Sequence, residues 1–299
     1  MAPHVYADAD THVRHMSLTI ISKLAPFSAL ILTIVFVILF VLRYYALERW
    51  LLPKCYGSIY LDLSDVNKRG FLNHHMAGGI KVVILIVAAY PFIDVAFGHA
   101  NFNSPFAGST LVTLGDVLVV CTQIFVAIYV FELIYRAKIS PISIFHHVGT
   151  IVIGQTAIAI SLNLVHEKDA DIEFILCTVW GAFDIVCETL PHLSIILYRV
   201  YPTSHRFLSH VLAVTCIITF LGTVFETIVI MYLFGSLWHR WETAFKIVTP
   251  VLHVAFSATQ LHGSHILYKM MRRQQKILHE QREREEVAVR DFEGVGRRK

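Results

Sequence analysis

His146-His147 stands at the start of one apolar run, and Asp184 with Glu188 lies inside the next, so ionisable side chains fall where lipid excludes them. Such groups cost about 2.5 to 3.5 kcal/mol each at the centre of a membrane helix, and they persist where they face protein, water or one another. A neutral imidazole takes a proton from an amine or hydroxyl, and a carboxylate beside it fixes its tautomer and stabilises the resulting cation. That pairing suits acyl transfer, with His146 or His147 as general base and Asp184 or Glu188 as the orienting carboxylate. Asp184, Glu188 and His192 are spaced i, i+4, i+8, which puts all three on one helix face.

The elements that must position these groups are membrane helices. Of 299 residues, 56% are apolar and only 16% charged, outside the range of an ordinary soluble domain. Seven stretches reach the roughly 17 to 25 residues that cross the hydrocarbon. They run Leu24 to Leu42, Gly79 to Phe97, Leu114 to Ile134, Ile142 to Leu162, Ile172 to Tyr198, Phe207 to Phe234 and Phe245 to Tyr268. They are continuous apolar runs without the short alternating segments of an outer-membrane barrel. The expected fold is an all-α membrane protein of about seven transmembrane helices, the first of them a retained anchor.

Basic residues alternate between the connections, as the positive-inside bias requires of cytosolic loops. Arg43, Arg49, Lys54, Lys68, Arg69 and Lys81 mark the first, Arg136 and Lys138 the third, and Arg199 and Arg206 the fifth. The second has no Lys or Arg, and the fourth has only Lys168 among acids. The expected orientation has the N-terminus outside and the C-terminus cytosolic. His146 and His147 then lie one turn in from the cytosolic side, and Glu188 and His192 at comparable depth. Glu132, His210, Gln260, His262 and His265 extend this into a polar chamber open to the cytosol, while Glu226 and His253 fall in the opposite half, where they could pair. Trp180, Glu132, His192, Gln260 and His262 are the expected substrate contacts.

Several chemistries are disfavoured. A diiron oxygenase needs about eight histidines in two types of box, and only His205 with His210 has the first spacing, while His74-His75 and His146-His147 lack the upstream partner of the second. A retinal protein needs a lysine in mid-span seven, and Lys246 lies at its edge. A seven-span receptor shares the topology but not charges clustered on the cytosolic half; it stays a minor alternative. Cys55, Cys121, Cys177, Cys187 and Cys216 form no C-x-x-C pair and read as structural thiols. No bound cofactor, metal or nucleic-acid partner is expected. The tail from Arg272 to Lys299 mixes Arg and Glu without an apolar face and reads as a solvated helix fading into disorder.

Phe145-His146-His147-Val148-Gly149-Thr150 at the start of a span, after the basic connection from Arg136, and Asp184-Ile185-Val186-Cys187-Glu188 in the next resemble the TLC (TRAM, LAG and CLN homology) domain. The resemblance covers roughly Met76 to Met271. It implies a divergent relative of the ceramide synthases, with six helices in a TLC-type bundle, residues 1–75 as tail, anchor and cytosolic loop, 76–271 as the TLC-like domain and 272–299 as a charged tail. It also implies residence in the endoplasmic reticulum, a sphingoid base or ceramide as lipid partner, acyl-CoA as co-substrate of an N-acyltransferase, and homo- or hetero-oligomers. The sequence departs from the pattern at Trp180-Gly181, where a His-Asp pair is expected. Two side chains associated with acyl transfer are thus replaced, and the resemblance favours a lipid-homeostasis protein that binds a long-chain lipid over an acyltransferase.

Overall fold

In a computed structural model, residues 11–16, 19–162 and 170–296 are described. The expectations that rest on residues 163–169, Lys168 among them, lie outside this set. Nine α-helices are found among the described residues, and no β-strand. Ser28–Val41 is α1, and its helix continues as a π-helical stretch, Leu42–Leu51, into α2, Leu52–Tyr56. Gly57, at φ +51°, breaks the chain before the single turn α3, Ser58–Leu61; that left-handed conformation suits glycine, which has no Cβ.

The longer helices are α4, Asp65–Ala96; α5, Leu114–Tyr135; α6, Pro141–Ile160; α7, Ala170–Val200; α8, His205–Ser236; and α9, Thr243–Gly296. Their starts follow from local chemistry. The side chain of Thr113 accepts from the Asp116 N–H while Asp116 accepts from the Thr113 N–H, a reciprocal cap on α5. Ser140 caps α6 by accepting from the Ser143 N–H, and Pro141, whose missing N–H costs nothing in a first turn, follows it.

Among the described residues, five helical segments are long and apolar enough to cross a membrane: Ala25–Tyr56, Asp65–Ala96, Leu114–Tyr135, Pro141–Ile160 and His205–Ser236. α7 and α9 carry more polar residues, yet each runs antiparallel along one of these five. His74 meets His192 and Lys81 meets Glu188 along the α4–α7 seam. Along α8–α9, Thr227 meets His253, Glu226 meets Gln260, Thr219 meets Ser264 and Gln274 meets His205. Neighbouring helices follow in the order α4, α5, α6, α9, α8, α7 and back to α4, with α6 also packed on α7 and α1 packed outside against α5. The six later helices therefore form a closed circuit.

Several boundaries differ from the sequence reading. α4 begins fourteen residues before Gly79, and α9 continues as unbroken helix through the charged tail to Gly296. The extension of α9 is sustained without an apolar face by ion pairs one turn apart, Lys276–Glu280, His279–Glu283 and Arg290–Glu286. At the far end of the bundle the N-terminal segment is tied down, with Ser22 donating to Asp116 at 2.6 Å and the Thr19 N–H to Asp171 at 2.8 Å.

Candidate functional site

Four helices of the circuit bring their polar residues to one place. The Ser140 cap fixes where α6 starts and so sets His146 and His147 two turns in. α5, running the other way, brings Tyr129 and Glu132 opposite them, α7 presents Asp184 and Glu188, and α4 contributes Lys81. The Tyr129 hydroxyl is shared between Asp184 Oδ2 at 2.5 Å and Glu188 Oε2 at 3.0 Å. His146 Nε2 lies 3.3 Å from both Asp184 Oδ2 and Glu188 Oε1, and Lys81, fully buried, pairs with Glu188. Its ammonium also lies 5.2 Å from the centre of the Tyr129 ring, where the ring's negative face attracts it.

The two adjacent histidines have different environments. His147 Nε2 sits 2.9 Å from Glu132 Oε2, which Arg136 also approaches at 3.6 Å. An ionised carboxylate only accepts, so Nε2 carries the proton and the Nδ1 lone pair is free. That Nδ1 is buried and has no partner. Tyr129 stacks on the ring at 4.4 Å and fixes its plane. His147 is thereby oriented as a proton acceptor. His146 differs, because both its nitrogens face oxygens: the carboxylates at Nε2 and Thr259 Oγ1, 3.3 Å away, at Nδ1. Thr259 spends its own proton on the Phe256 carbonyl, 2.7 Å away, so its oxygen accepts from His146. His146 is set up to donate.

Three carboxylates, Glu132, Asp184 and Glu188, meet two fixed cations, Lys81 and Arg136. His146, which donates from both nitrogens, supplies the third positive charge. Donor atoms of His146, Asp184 and Glu188 lie within 4.8 Å of one another, a set whose types suit a divalent cation. Here Lys81 and Tyr129 already serve those carboxylates.

An apolar cavity of about 130 Å³ lies inside the circuit, walled by Ala88, Thr122, Gly154, Gly181 and Phe256, with Asp184 in its wall. Glu226 and Gln260 also reach it, joined by a 2.8 Å bond from the Gln260 amide. Trp180 lines it too, and its indole donates to His253 Nδ1 at 3.1 Å with the rings parallel to within 6°. Because an indole N–H can only donate, His253 must present a bare Nδ1 and a protonated Nε2, which faces Thr227 at 3.1 Å.

Of the expected site residues, His146, His147, Asp184, Glu188 and Glu132 are brought together. Glu132 orients an imidazole, a role expected of Asp184 or Glu188. His192 bonds His74, Nδ1 to Nδ1 at 2.9 Å, one turn along α7 from Glu188. Trp180 and Gln260 line the cavity, and His262 is excluded, since its side chain is exposed on the outer face of α9. The expected pairing of Glu226 with His253 is not formed, because Trp180 and Thr227 take the imidazole and Gln260 takes the acid. Lys81, Tyr129 and His74 were missed. A lysine two residues inside the second span was a readable signal; for Tyr129, one aromatic among many in an apolar run, there was none. Compared with known proteins, the chain matches no protein-family model, no curated protein and no solved structure.

Proposed function

We propose that this chain is a multi-pass membrane protein of lipid or sphingolipid homeostasis that holds a long-chain lipid within its circuit of helices, in the endoplasmic reticulum or a related endomembrane. The observation that carries the reading is that Asp184 belongs both to the wall of the apolar cavity and to the charged cluster. A tail in the cavity would bring its polar end to Asp184, Glu188 and Lys81. In this reading α7 and α9 cross with α4 and α8 and make seven spans, their polarity explained by the interior they line.

The test uses purified full-length protein and mass spectrometry of lipid that co-purifies. Gly181→Leu should lower occupancy, because a Cβ at position 181 meets only Phe125 at ordinary contact, 3.8 Å, and the rest of the side chain would fill the cavity. Occupancy unchanged in a variant that still folds would remove the reading. Labelling of Ala137→Cys should occur from the cytosol; labelling from the lumen would overturn the orientation.

A second reading, an acyl-CoA-dependent N-acyltransferase acting on a sphingoid base, is favoured by the free Nδ1 of His147 beside Glu132. His147 would take the proton of the attacking amine as its nitrogen bonds to the acyl carbon and the thiolate of coenzyme A departs. Product formed from sphingoid base and acyl-CoA, and lost in His147→Ala, supports it; no turnover while lipid still co-purifies leaves the binding reading alone.

A further inference from the structure

The outer face of α9 changes character along its length. Val251 and Val254 are exposed on it, as befits a surface against lipid. Further along, His262, His265, Lys269, Arg272, Arg273 and Lys276 are all exposed. They follow the spacing i, i+3, i+7, i+10, i+11, i+14, which at about 100° per residue keeps them within roughly 60° of one line on the helix. The opposite face, with Ser264, Leu267 and Gln274 buried, packs towards α8. The six residues therefore form a stripe turned away from the cavity and from the charged cluster.

Charge along α9 is ordered as well as placed. Residues 243–279 contain no Asp or Glu, and the first acid, Glu280, pairs with Lys276 at 3.8 Å. Beyond it Glu and Arg alternate, so net positive charge is confined to the stretch that follows the apolar run. Arg272 bonds only the neutral Gln275 side chain, and among the described residues Lys269 and Arg273 meet no acid. Unmatched cations held at the end of a membrane helix, two of them guanidinium groups able to grip a phosphate through paired N–H donors, complement an anionic headgroup.

We propose that the α9 stripe is a binding site for anionic phospholipids of the leaflet on the side where α9 leaves the bundle. Arg272 and Arg273 clamp the phosphate, Lys269 and Lys276 flank it, and His262 and His265, about 10 and 6 Å below Lys269 along the axis, contact the glycerol and ester region.

Full-length protein in detergent, probed by native mass spectrometry with phosphatidic acid against phosphatidylcholine, should retain the anionic lipid about tenfold more. The triple variant Lys269→Gln, Arg272→Gln, Arg273→Gln should lose that preference while its thermal unfolding in phosphatidylcholine stays unchanged, since these side chains are exposed. His262→Gln with His265→Gln should lose part of it. Equal retention of the two lipids, or a preference that survives the triple variant, overturns the proposal. Displacement of phosphatidic acid by inorganic phosphate alone would also overturn it, marking the site as one for free phosphate. Gly181→Leu, which reports on the cavity, should leave the preference intact, so the two lipid sites fail independently.

Discussion

The two halves of the helical circuit satisfy their buried polar groups in opposite ways. Around α6's first turns, carboxylates are matched by cations, Glu188 by Lys81 and Glu132 by Arg136. In the other half, neutral donors do most of the matching: Gln260 for Glu226, Ser22 and the Thr113 N–H for Asp116, an indole for His253, and the Thr19 N–H, aided by the charge of Arg240, for Asp171. Removing one charge from the first half strands its partner at low dielectric, whereas removing one neutral donor from the second costs a single hydrogen bond. The first half is thus the costly one, and a protein keeps a costly arrangement where it is used.

The sharpest way to break this contrast is Lys81→Met. Deleting one member of a buried ion pair leaves an uncompensated charge and costs about 3 to 5 kcal/mol. Thermal unfolding in detergent should show a large loss, partly recovered when Glu188→Gln is added. A loss no greater than that of Lys276→Met on the exposed extension of α9 would mean that the pair contributes nothing special.

Trp180→Phe comes next. It keeps an aromatic ring beside His253 but leaves Nδ1 without its donor, a loss of about 1 to 2 kcal/mol. If Trp180→Phe instead matched Lys81→Met, the neutral half would be as tightly coupled as the charged one. Smaller again is Glu226→Gln. A glutamine can still accept from Gln260 across the 2.8 Å contact, so stability should change by less than about 1 kcal/mol. A collapse would show that Glu226 serves as an ion with a partner of its own.

The same contrast decides what was legible in the sequence. Helices, their order and the meeting of His146, His147, Asp184 and Glu188 followed from apolar runs and the alternation of basic loops, because depth along an antiparallel helix is set by counting residues. Rotation is not. Whether His262 faces inward depends on which face of α9 packs against α8, and Gln260, two residues earlier, reaches the cavity while His262 does not. Partner choice was equally hidden: Glu226 and His253 share a half of the bundle, but Trp180 intercepts the imidazole from a third helix. Lys81 counts in the sequence as a basic residue at the edge of the first connection, although a buried lysine needs a carboxylate opposite, and Glu188 supplies it.

The smallest expected effect is one of slope. Asp171 lies at the outer rim of the neutral half, where burial pushes its carboxyl up to about 6 from the ordinary 3.8, the Thr19 N–H and the charge of Arg240 only partly offsetting this. The folded state therefore holds this proton more tightly than the unfolded chain does. Its contribution is fully present below about pH 4 and is lost as the pH rises through 6. Asp171→Asn keeps an acceptor for the Thr19 N–H and carries no titrating proton, so the variant should lack this fall. Measured at pH 4 and pH 7, the gap between wild type and variant should change by about 2 to 4 °C in Tm, the equivalent of about 1 kcal/mol for a chain of this class. The variant should be the more stable of the two at pH 7. A gap that is the same at both pH values would mean that the charge of Arg240 fully offsets the burial of Asp171, and that the division between the halves stops short of the rim.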